Sequence, residues 1–191
     1  FTVEGWVNSS ASNNGAWFAT RNHSDSHIEL YTYSSGSKLG VTLYDSGSGT
    51  DFEVTNTNGA PYTVGAWHHV AVTREGTGAG ETHFYVDGIL IGSGQYAGDL
   101  NHSGGADLYI GAQPASPSGI SSPWAFEGYL DEIRVSSGIA RYTKSIERFA
   151  NTFVAKGDTG DAYTALQIQS NGAKTGAGYS DLLNRTGYNT S

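Results

Sequence analysis

The sequence predicts an all-β protein, a two-sheet antiparallel β-sandwich of the jelly-roll type with at most one short helix. Segments in which apolar and polar residues alternate recur at intervals of about 8 to 12 residues, as they do in sandwiches. Turn-forming residues fill the intervals, with 27 glycines among the 191 residues. A chain of this length is ordinary for one β-sandwich domain.

Strands are predicted along most of the first 112 residues. In the first strand, residues 1–7, Val3 and Val7 face one side and Glu4 faces the other. Residues 81–94 form the clearest pair, a hairpin whose two-residue turn is Asp87-Gly88. The other strands are expected at residues 16–21, 27–33, 39–45, 51–57, 67–74 and 107–112.

The second part of the chain has fewer strand patterns. Residues 113–124 contain three prolines and are expected to form a long surface loop, a kind of segment in which binding residues often lie. Residues 144–151 are the helical candidate, and residues 162–170 form the last predicted strand. We predict one domain over residues 1–170, with residues 171–191 as a C-terminal tail or the start of a following segment.

A strand predicted at residues 129–135 carries charges within an apolar alternation. Its two predicted faces are Tyr129, Asp131, Ile133 and Val135 on one side and Leu130, Glu132 and Arg134 on the other. A glycosidase needs two carboxyl groups close together, whereas the adjacent Asp131 and Glu132 point to opposite faces. We therefore predict that one of these acids has a structural role and forms an ion pair. The candidate partners are Arg134, His68 and His69.

The composition excludes several classes of function. The net charge is −8 and the chain has no basic stripe, so a nucleic-acid partner is not expected, because phosphate neutralisation supplies most of that affinity. No apolar run approaches the roughly 18 residues that span a membrane. Cysteine is absent, so disulfide usage does not indicate the compartment. Methionine is also absent, including at position 1, and we expect the chain to be processed or part of a longer polypeptide.

Five segments, taken in order, resemble laminin-G-like domains of the concanavalin A-like lectin/glucanase superfamily. They are FTVEGWV, GAWHHVAVTREG, HFYVDGILIGSG, LYIGA and GYLDEIRVSSGIARYT. The resemblance covers residues 1–170, and the last segment is similar to domains of bacterial surface proteins and of virion proteins of tailed phages, cyanophages included. It implies a sandwich of two curved antiparallel sheets and an extracellular, cell-surface or virion location. It does not decide the function, because the superfamily includes sugar-binding modules, adhesion domains, virion fibre domains and enzymes.

The same resemblance makes calcium the cofactor to expect. Many such domains hold Ca²⁺ through loop carboxylates and backbone carbonyls. The aspartates in or beside predicted loops are Asp25, Asp45, Asp51, Asp99, Asp107, Asp158 and Asp161. They form no ordered calcium-loop motif, so individual ligands are not assigned. His23 and His27 lie close enough in sequence to bind a transition metal, although isolated loop histidines are more often solvated.

The most suggestive candidate site is aromatic. The residues of three consecutive strands that would face the core are Phe18, Ile28, Leu30, Leu39, Val41 and Leu43. If they do, alternation turns their neighbours outward. Flat aromatic faces beside hydrogen-bonding groups are suited to holding sugars. The predicted ligand-binding residues, including one tryptophan of the 113–124 loop, are Trp17, Arg21, Tyr31, Tyr33, Tyr44 and Trp124. Packing against a neighbouring domain or an oligomer partner, and ordinary outer-face tyrosines, are the alternatives.

We therefore predict a non-catalytic binding or adhesion domain of a larger extracellular or virion protein. Its expected partner is a surface glycan or a neighbouring protein subunit. One alternative is a purely structural assembly or decoration subunit of a virion or filament, which would form a homo-oligomer or a larger assembly. A glycoside hydrolase is the alternative with the least support from the sequence.

Overall fold

A computed structural model describes residues 1–10, 14–21, 26–33, 38–45, 47, 50–56, 61–98, 100, 107–116, 119–120, 125–143 and 161–168. Its strands are β1 (Thr2–Ser9), β2 (Gly15–Arg21), β3 (His27–Tyr33), β4 (Lys38–Asp45), β5 (Thr50–Thr55), β6 (His68–Arg74), β7 (Thr82–Val86), β8 (Ile89–Gly94), β9 (Asp107–Ile110), β10 (Pro114–Ser116), β11 (Gly119–Ile120), β12 (Gly128–Ser136) and β13 (Thr164–Ile168). None of the described residues is helical, which confirms the all-β prediction. The helix predicted at residues 144–151 lies outside the described residues.

Two antiparallel sheets form the sandwich. The six-stranded sheet has the order β13-β12-β1-β6-β7-β8, and the five-stranded sheet has the order β5-β4-β3-β2-β9. A separate pair, β10-β11, lies within the segment 113–124, so the prediction of one continuous loop there is wrong. Because β10 and β11 pair, some of the backbone N–H and C=O groups of this segment have hydrogen-bond partners. In the part of the chain that the structure describes, no helix has the length and apolar character needed to cross a membrane.

The core fills the space between the inner faces of the two sheets. The predicted inward residues of β2, β3 and β4 are all buried in it: Phe18, Ile28, Leu30, Leu39, Val41 and Leu43. The six-stranded sheet contributes Val3 and Val7 from β1 and Val70 and Val72 from β6. Burying an aliphatic side chain of this size contributes about 1.5–3 kcal/mol relative to leaving it exposed. Period-two alternation therefore identified the inner faces of β3 and β4 correctly.

Strand β12 departs from simple alternation. Its register with β1 shifts after the Glu4–Arg134 pair, and Glu132 adopts a φ of 50°. A bulge of this kind inserts one extra residue and changes which side chains share a face. The residues of β12 that pack on the core are Leu130, Ile133 and Val135. The predicted division, which put Leu130 on the face opposite the other two, is wrong because the bulge lies between them.

Arg134 and His69 pair with Glu4 on β1, an acid that the sequence prediction had not considered. Arg134 Nη2 lies 2.6 Å from Glu4 Oε1, and Glu4 is fully buried. The second carboxylate oxygen, Oε2, lies 3.1 Å from His69 Nε2 and accepts a hydrogen bond from the Tyr142 hydroxyl at 2.6 Å. Glu4 can contact both side chains because β1 lies between β6 and β12 in the sheet. An ion pair made by Asp131 or Glu132 stays a prediction.

Residues 139–142 cover part of the outer face of the six-stranded sheet. The Thr73 hydroxyl donates to the Tyr142 carbonyl at 2.7 Å, and the Thr2 hydroxyl donates to the Ile139 carbonyl at 3.1 Å. The Tyr142 ring packs against Tyr85 with ring centroids 6.0 Å apart. This segment therefore shields the buried Glu4 from water on the side that faces away from the main core.

The turn between β7 and β8 has the geometry predicted from Asp87-Gly88. Asp87 has a φ of 50° and Gly88 a φ of 75°, as a type I′ turn requires. The Asp87 side chain also ties the turn to β6, because Oδ1 accepts from the His69 backbone N–H at 2.9 Å and Oδ2 lies 2.7 Å from His68 Nδ1. The hairpin prediction is confirmed.

Candidate functional site

The outer face of the five-stranded sheet is the surface on which the sequence placed the binding residues. The register joins Ala19, Glu29, Thr42 and Glu53 in one row across β2 to β5. The adjacent row joins Ala16, Tyr31, Gly40 and Thr55, and Tyr109 of β9 lies opposite Ala19. We call this surface the Tyr31 face and define it by Ala16, Ala19, His27, Glu29, Tyr31, Tyr33, Gly40, Thr42, Tyr44, Glu53 and Tyr109.

Trp17 does not lie on the Tyr31 face. It is fully buried in the main core together with Phe18. The register between β2 and β3 passes from Ala16–Tyr31 to Phe18–Leu30, so Trp17 is the extra residue of a bulge. The prediction that Trp17 belongs to an outward aromatic surface is therefore wrong, because the bulge turns two consecutive aromatic side chains inward.

Tyr31 lies on the predicted face but is covered, with 8% of its surface exposed. Its ring rests on Gly40 so closely that a Cβ atom at position 40 would stand 2.7 Å from the ring. The Tyr31 hydroxyl donates to Glu53 Oε1 at 3.3 Å. Burial, followed by the neighbouring Glu53 charge and opposed by a hydrogen bond with Thr42, raises the pKa of Tyr31 to about 12. Tyr31 thus keeps its proton at neutral pH and helps to position the Glu53 carboxylate.

Tyr33 and Tyr44 are the accessible aromatic groups among the predicted residues. Tyr33 is 46% exposed at the end of β3, and Tyr44 is half-buried on β4. The Tyr44 ring lies 5.3 Å from the His27 ring, centroid to centroid. Arg21 ends β2, but its side chain lies outside the described part of the structure, and Trp124 lies outside it altogether.

The Tyr31 face combines aromatic rings with hydrogen-bonding groups in fixed positions. Glu29 is buried and Glu53 is exposed, and both flank Thr42 in the same cross-strand row. Tyr109 covers Ala19, and its hydroxyl donates to Asp107 Oδ2 at 3.3 Å. The carboxylates are acceptors for ligand hydroxyl or N–H groups.

Calcium stays a prediction. Among the described residues, no three His, Asp or Glu side chains converge as a metal site would require. Three of the seven loop aspartates have described side chains, and each has a protein partner. Asp45 Oδ1 accepts from Ser26 Oγ at 3.0 Å, Asp161 Oδ1 lies 2.8 Å from Arg141 Nη2, and Asp107 accepts from Tyr109.

A second group of exposed aromatic residues lies on the outer face of the six-stranded sheet, and sequence reasoning did not assign it. Trp67 is 45% exposed and Tyr129 is 68% exposed, with ring centroids 6.5 Å apart and planes inclined at 48°. Trp6, on β1, lies on the same outer face, with its ring centroid 5.6 Å from that of His69. Alternation could have marked these residues as outward-facing, but the strand order that brings them together is not evident from it.

The fold agrees with the comparison with known families. A family profile described as the concanavalin A-like lectin/glucanases superfamily matches residues 1–144. Since the match covers well over half of the chain, the protein belongs to this superfamily, and within it to a laminin-G family. A search of curated proteins found no significant match.

Solved structures with a similar fold include proteins from animals and bacteria. The native heptameric SAP-like pentraxin from Limulus polyphemus has 19% identity and a TM-score of 0.51. Domain 4 of the extracellular arabinanase AbnA from Geobacillus stearothermophilus, in complex with arabinotriose, has 19% identity and a TM-score of 0.49. Domains LG4-5 of the mouse laminin alpha1 chain have 17% identity and a TM-score of 0.46.

The alignments to these structures are partial. They cover 70%, 69% and 75% of this chain and 61%, 57% and 38% of the respective partners. The chain thus spans less than two thirds of the length of each of them. At 19% identity, the likeness to the pentraxin shows the fold alone.

Proposed function

We propose that this protein is a non-catalytic binding domain that holds a surface glycan against the Tyr31 face. The observation that supports it is the row of Glu29, Thr42 and Glu53 between two accessible rings, with Tyr44 in the next row and Tyr33 two rows away on the other side. The C–H face of a sugar ring stacks on an aromatic ring, and its hydroxyl groups donate to carboxylate oxygens. Membership in a superfamily with lectin-type folds is compatible with this function but does not by itself carry it.

The Tyr31 face is organised before a ligand arrives. Tyr31 rests on Gly40 and donates to Glu53, so the carboxylate is held where it can accept from a ligand. A prearranged acceptor loses little side-chain entropy on binding. In this proposal Tyr33 and Tyr44 contact the sugar, Glu53 and Thr42 orient it, and Tyr31 is a positioning residue. The setting is an extracellular or virion surface, where such a glycan would be met.

Retention on a glycan array printed with neutral and acidic oligosaccharides tests this proposal. We expect Tyr33→Ala and Tyr44→Ala each to weaken retention about tenfold or more, because truncating a stacking anchor removes a main contact. Tyr163→Ala is the matched control, since Tyr163 is 49% exposed but lies next to β13 in the other sheet. Unchanged retention in both Tyr33 and Tyr44 variants, with the fold intact by circular dichroism, would refute a glycan site here.

Gly40→Ala tests the positioning role of Tyr31. The added methyl group would meet the Tyr31 ring at 2.7 Å, so the ring has to move off its seat and release Glu53. We expect weaker retention with little loss of stability, because the ring can swing toward solvent. Retention equal to wild type would show that the packing of Tyr31 on Gly40 has no part in binding. Burial of the Tyr31 face between subunits in a native particle would instead favour an assembly role.

A further inference from the structure

We infer that the outer face of the six-stranded sheet carries a second site, for a neutral glycan, formed by Trp67 and Tyr129. This site lies on the opposite side of the sandwich from the Tyr31 face, so it does not depend on the function proposed above. With both sites occupied, one domain would bind two glycan segments and bridge them.

The strand order places the two rings on either side of β1. Asn8 is the Cα partner of Tyr129, and the Val7–His68 pair brings Trp67 to the other side of Asn8. Two strand spacings separate β6 and β12 by about 9.6 Å, yet the ring centroids lie 6.5 Å apart. The rings therefore lean toward each other above Asn8, and together they form one aromatic patch.

The exposed area fits a sugar better than a protein. Side chains of this kind have about 150–250 Å² of surface each, and Trp67 and Tyr129 are 45% and 68% exposed. Their accessible area is therefore about 170–280 Å², enough for one or two pyranose rings. A stable protein interface needs about 800 Å² on each partner. The covering segment 139–142 occupies the neighbouring part of the same face, so the patch does not extend in that direction.

The charges around the pair select a neutral ligand. Asp131 lies opposite Trp6, in the row next to that of Tyr129. Glu132 follows Asp131 in the chain, and Glu127 lies two residues before Tyr129. Within β1 and β12 the cation is Arg134, which is buried against Glu4. A sulfated or sialylated glycan would thus meet like charges beside the pair, whereas the hydroxyls of a neutral glycan can donate to carboxylate oxygens.

Binding of neutral hexasaccharides tests the site. The probes are cellohexaose, laminarihexaose and mannohexaose, with a heparin hexasaccharide as the anionic comparison, and the readouts are titration calorimetry and tryptophan fluorescence. We expect at least one neutral probe to bind. Trp67→Ala and Tyr129→Ala should each weaken that binding about tenfold or more, and the heparin probe should not bind at this site.

Conservative variants and controls keep the test decisive. Trp67→Phe and Tyr129→Phe retain a stacking ring and should restore most of the affinity, which separates stacking from loss of fold. Tyr163→Ala, which changes a 49% exposed tyrosine next to β13, should leave affinity unchanged. Tyr33→Ala should affect only the Tyr31 face. The inference is overturned if no neutral probe binds, if the alanine variants at Trp67 and Tyr129 bind as wild type does, or if these variants change only the sedimentation of the protein, which would indicate contact between copies.

Discussion

Replacing Glu4 by glutamine tests the account of the buried charge network on the six-stranded sheet. The Glu4 carboxylate is fully buried and has partners at both oxygens. Arg134 contacts Oε1 through Nε at 2.7 Å and through Nη2 at 2.6 Å. His69 and Tyr142 contact Oε2 at 3.1 and 2.6 Å. Glutamine keeps the shape of the side chain but removes its negative charge. Its amide NH₂ group would also face a donor, whether it takes the position of Oε1 or that of Oε2.

The magnitude follows from what the substitution leaves behind. The Arg134 side chain is only 11% exposed, so without Glu4 its charge stays buried with its main partner removed. Breaking a buried pair in this way costs about 3–5 kcal/mol. For a chain of this size each kcal/mol lowers Tm by about 2–4 °C, so we expect a decrease of about 6–20 °C. Tyr142→Phe removes one hydrogen bond to the same carboxylate and should cost less, about 1.5–3 kcal/mol.

Urea unfolding and thermal melting followed by circular dichroism measure this change. Glu75→Gln is the matched control, because Glu75 forms a carboxylate–histidine pair with His83 at 3.0 Å but is 39% exposed. That surface pair should contribute no more than about 1 kcal/mol. A loss below about 1 kcal/mol for Glu4→Gln, equal to the control, would refute the reasoning that the buried carboxylate anchors the sheet.

The pH dependence has a definite sign. Burial pushes the pKa of Glu4 up, but the hydrogen bond from His69 and the charges of His69 and Arg134 outweigh it, and the pKa lies below its ordinary value of 4.5. A lowered pKa means that the charged carboxylate stabilises the fold above pH 4.5 and that this contribution is lost as the pH falls through the folded-state pKa. The difference in stability between wild type and Glu4→Gln should therefore shrink in acid.

Two further predictions concern an alkaline transition and a turn. Burial raises the pKa of Tyr85 from 10.0 to about 12. The stabilising contribution of the neutral hydroxyl is therefore present below pH 10 and is lost as the pH rises toward 12. Tyr85→Phe should flatten the decline in the urea midpoint over that range, and an unchanged decline would contradict the assignment. Gly88→Ala places a side chain at a φ of 75° and should lower the free energy of unfolding in urea by about 1–2 kcal/mol. The control Ser93→Ala, at an exposed position of β8, should change it by no more than about 0.5 kcal/mol. Equal effects would show that the turn does not require glycine.

The sequence predicted the fold well because the burial pattern of most strands depends on residues that are neighbours in sequence. Val3 and Val7, or Leu39 and Val41, alternate with residues that face away from the core, and that alternation needs no knowledge of the partner strand. The Asp87-Gly88 turn is equally local, since two residues suffice to define a type I′ turn. These features depend on neighbours in sequence, and the structure confirmed them.

The candidate sites were predicted less well because bulges and strand order are not local. One extra residue at Trp17 turns that ring inward, and another near Glu132 moves Leu130 to the core side. A bulge depends on how two paired strands fit together, so no single strand's alternation reveals it. Tyr31 was placed on the correct face, but its burial over Gly40 comes from contact with the adjacent strand.

The sequence by itself determined that this protein is an all-β sandwich, which residues fill most of its core, and which family its segments resemble. Only the tertiary structure decided that Glu4 anchors Arg134 and His69, and that Trp67 and Tyr129 meet above Asn8. The physical reason is that apolar periodicity is a property of each strand, whereas ion pairs and aromatic surfaces form between strands that are far apart in the chain. Their residues become neighbours only when β1 is paired between β6 and β12.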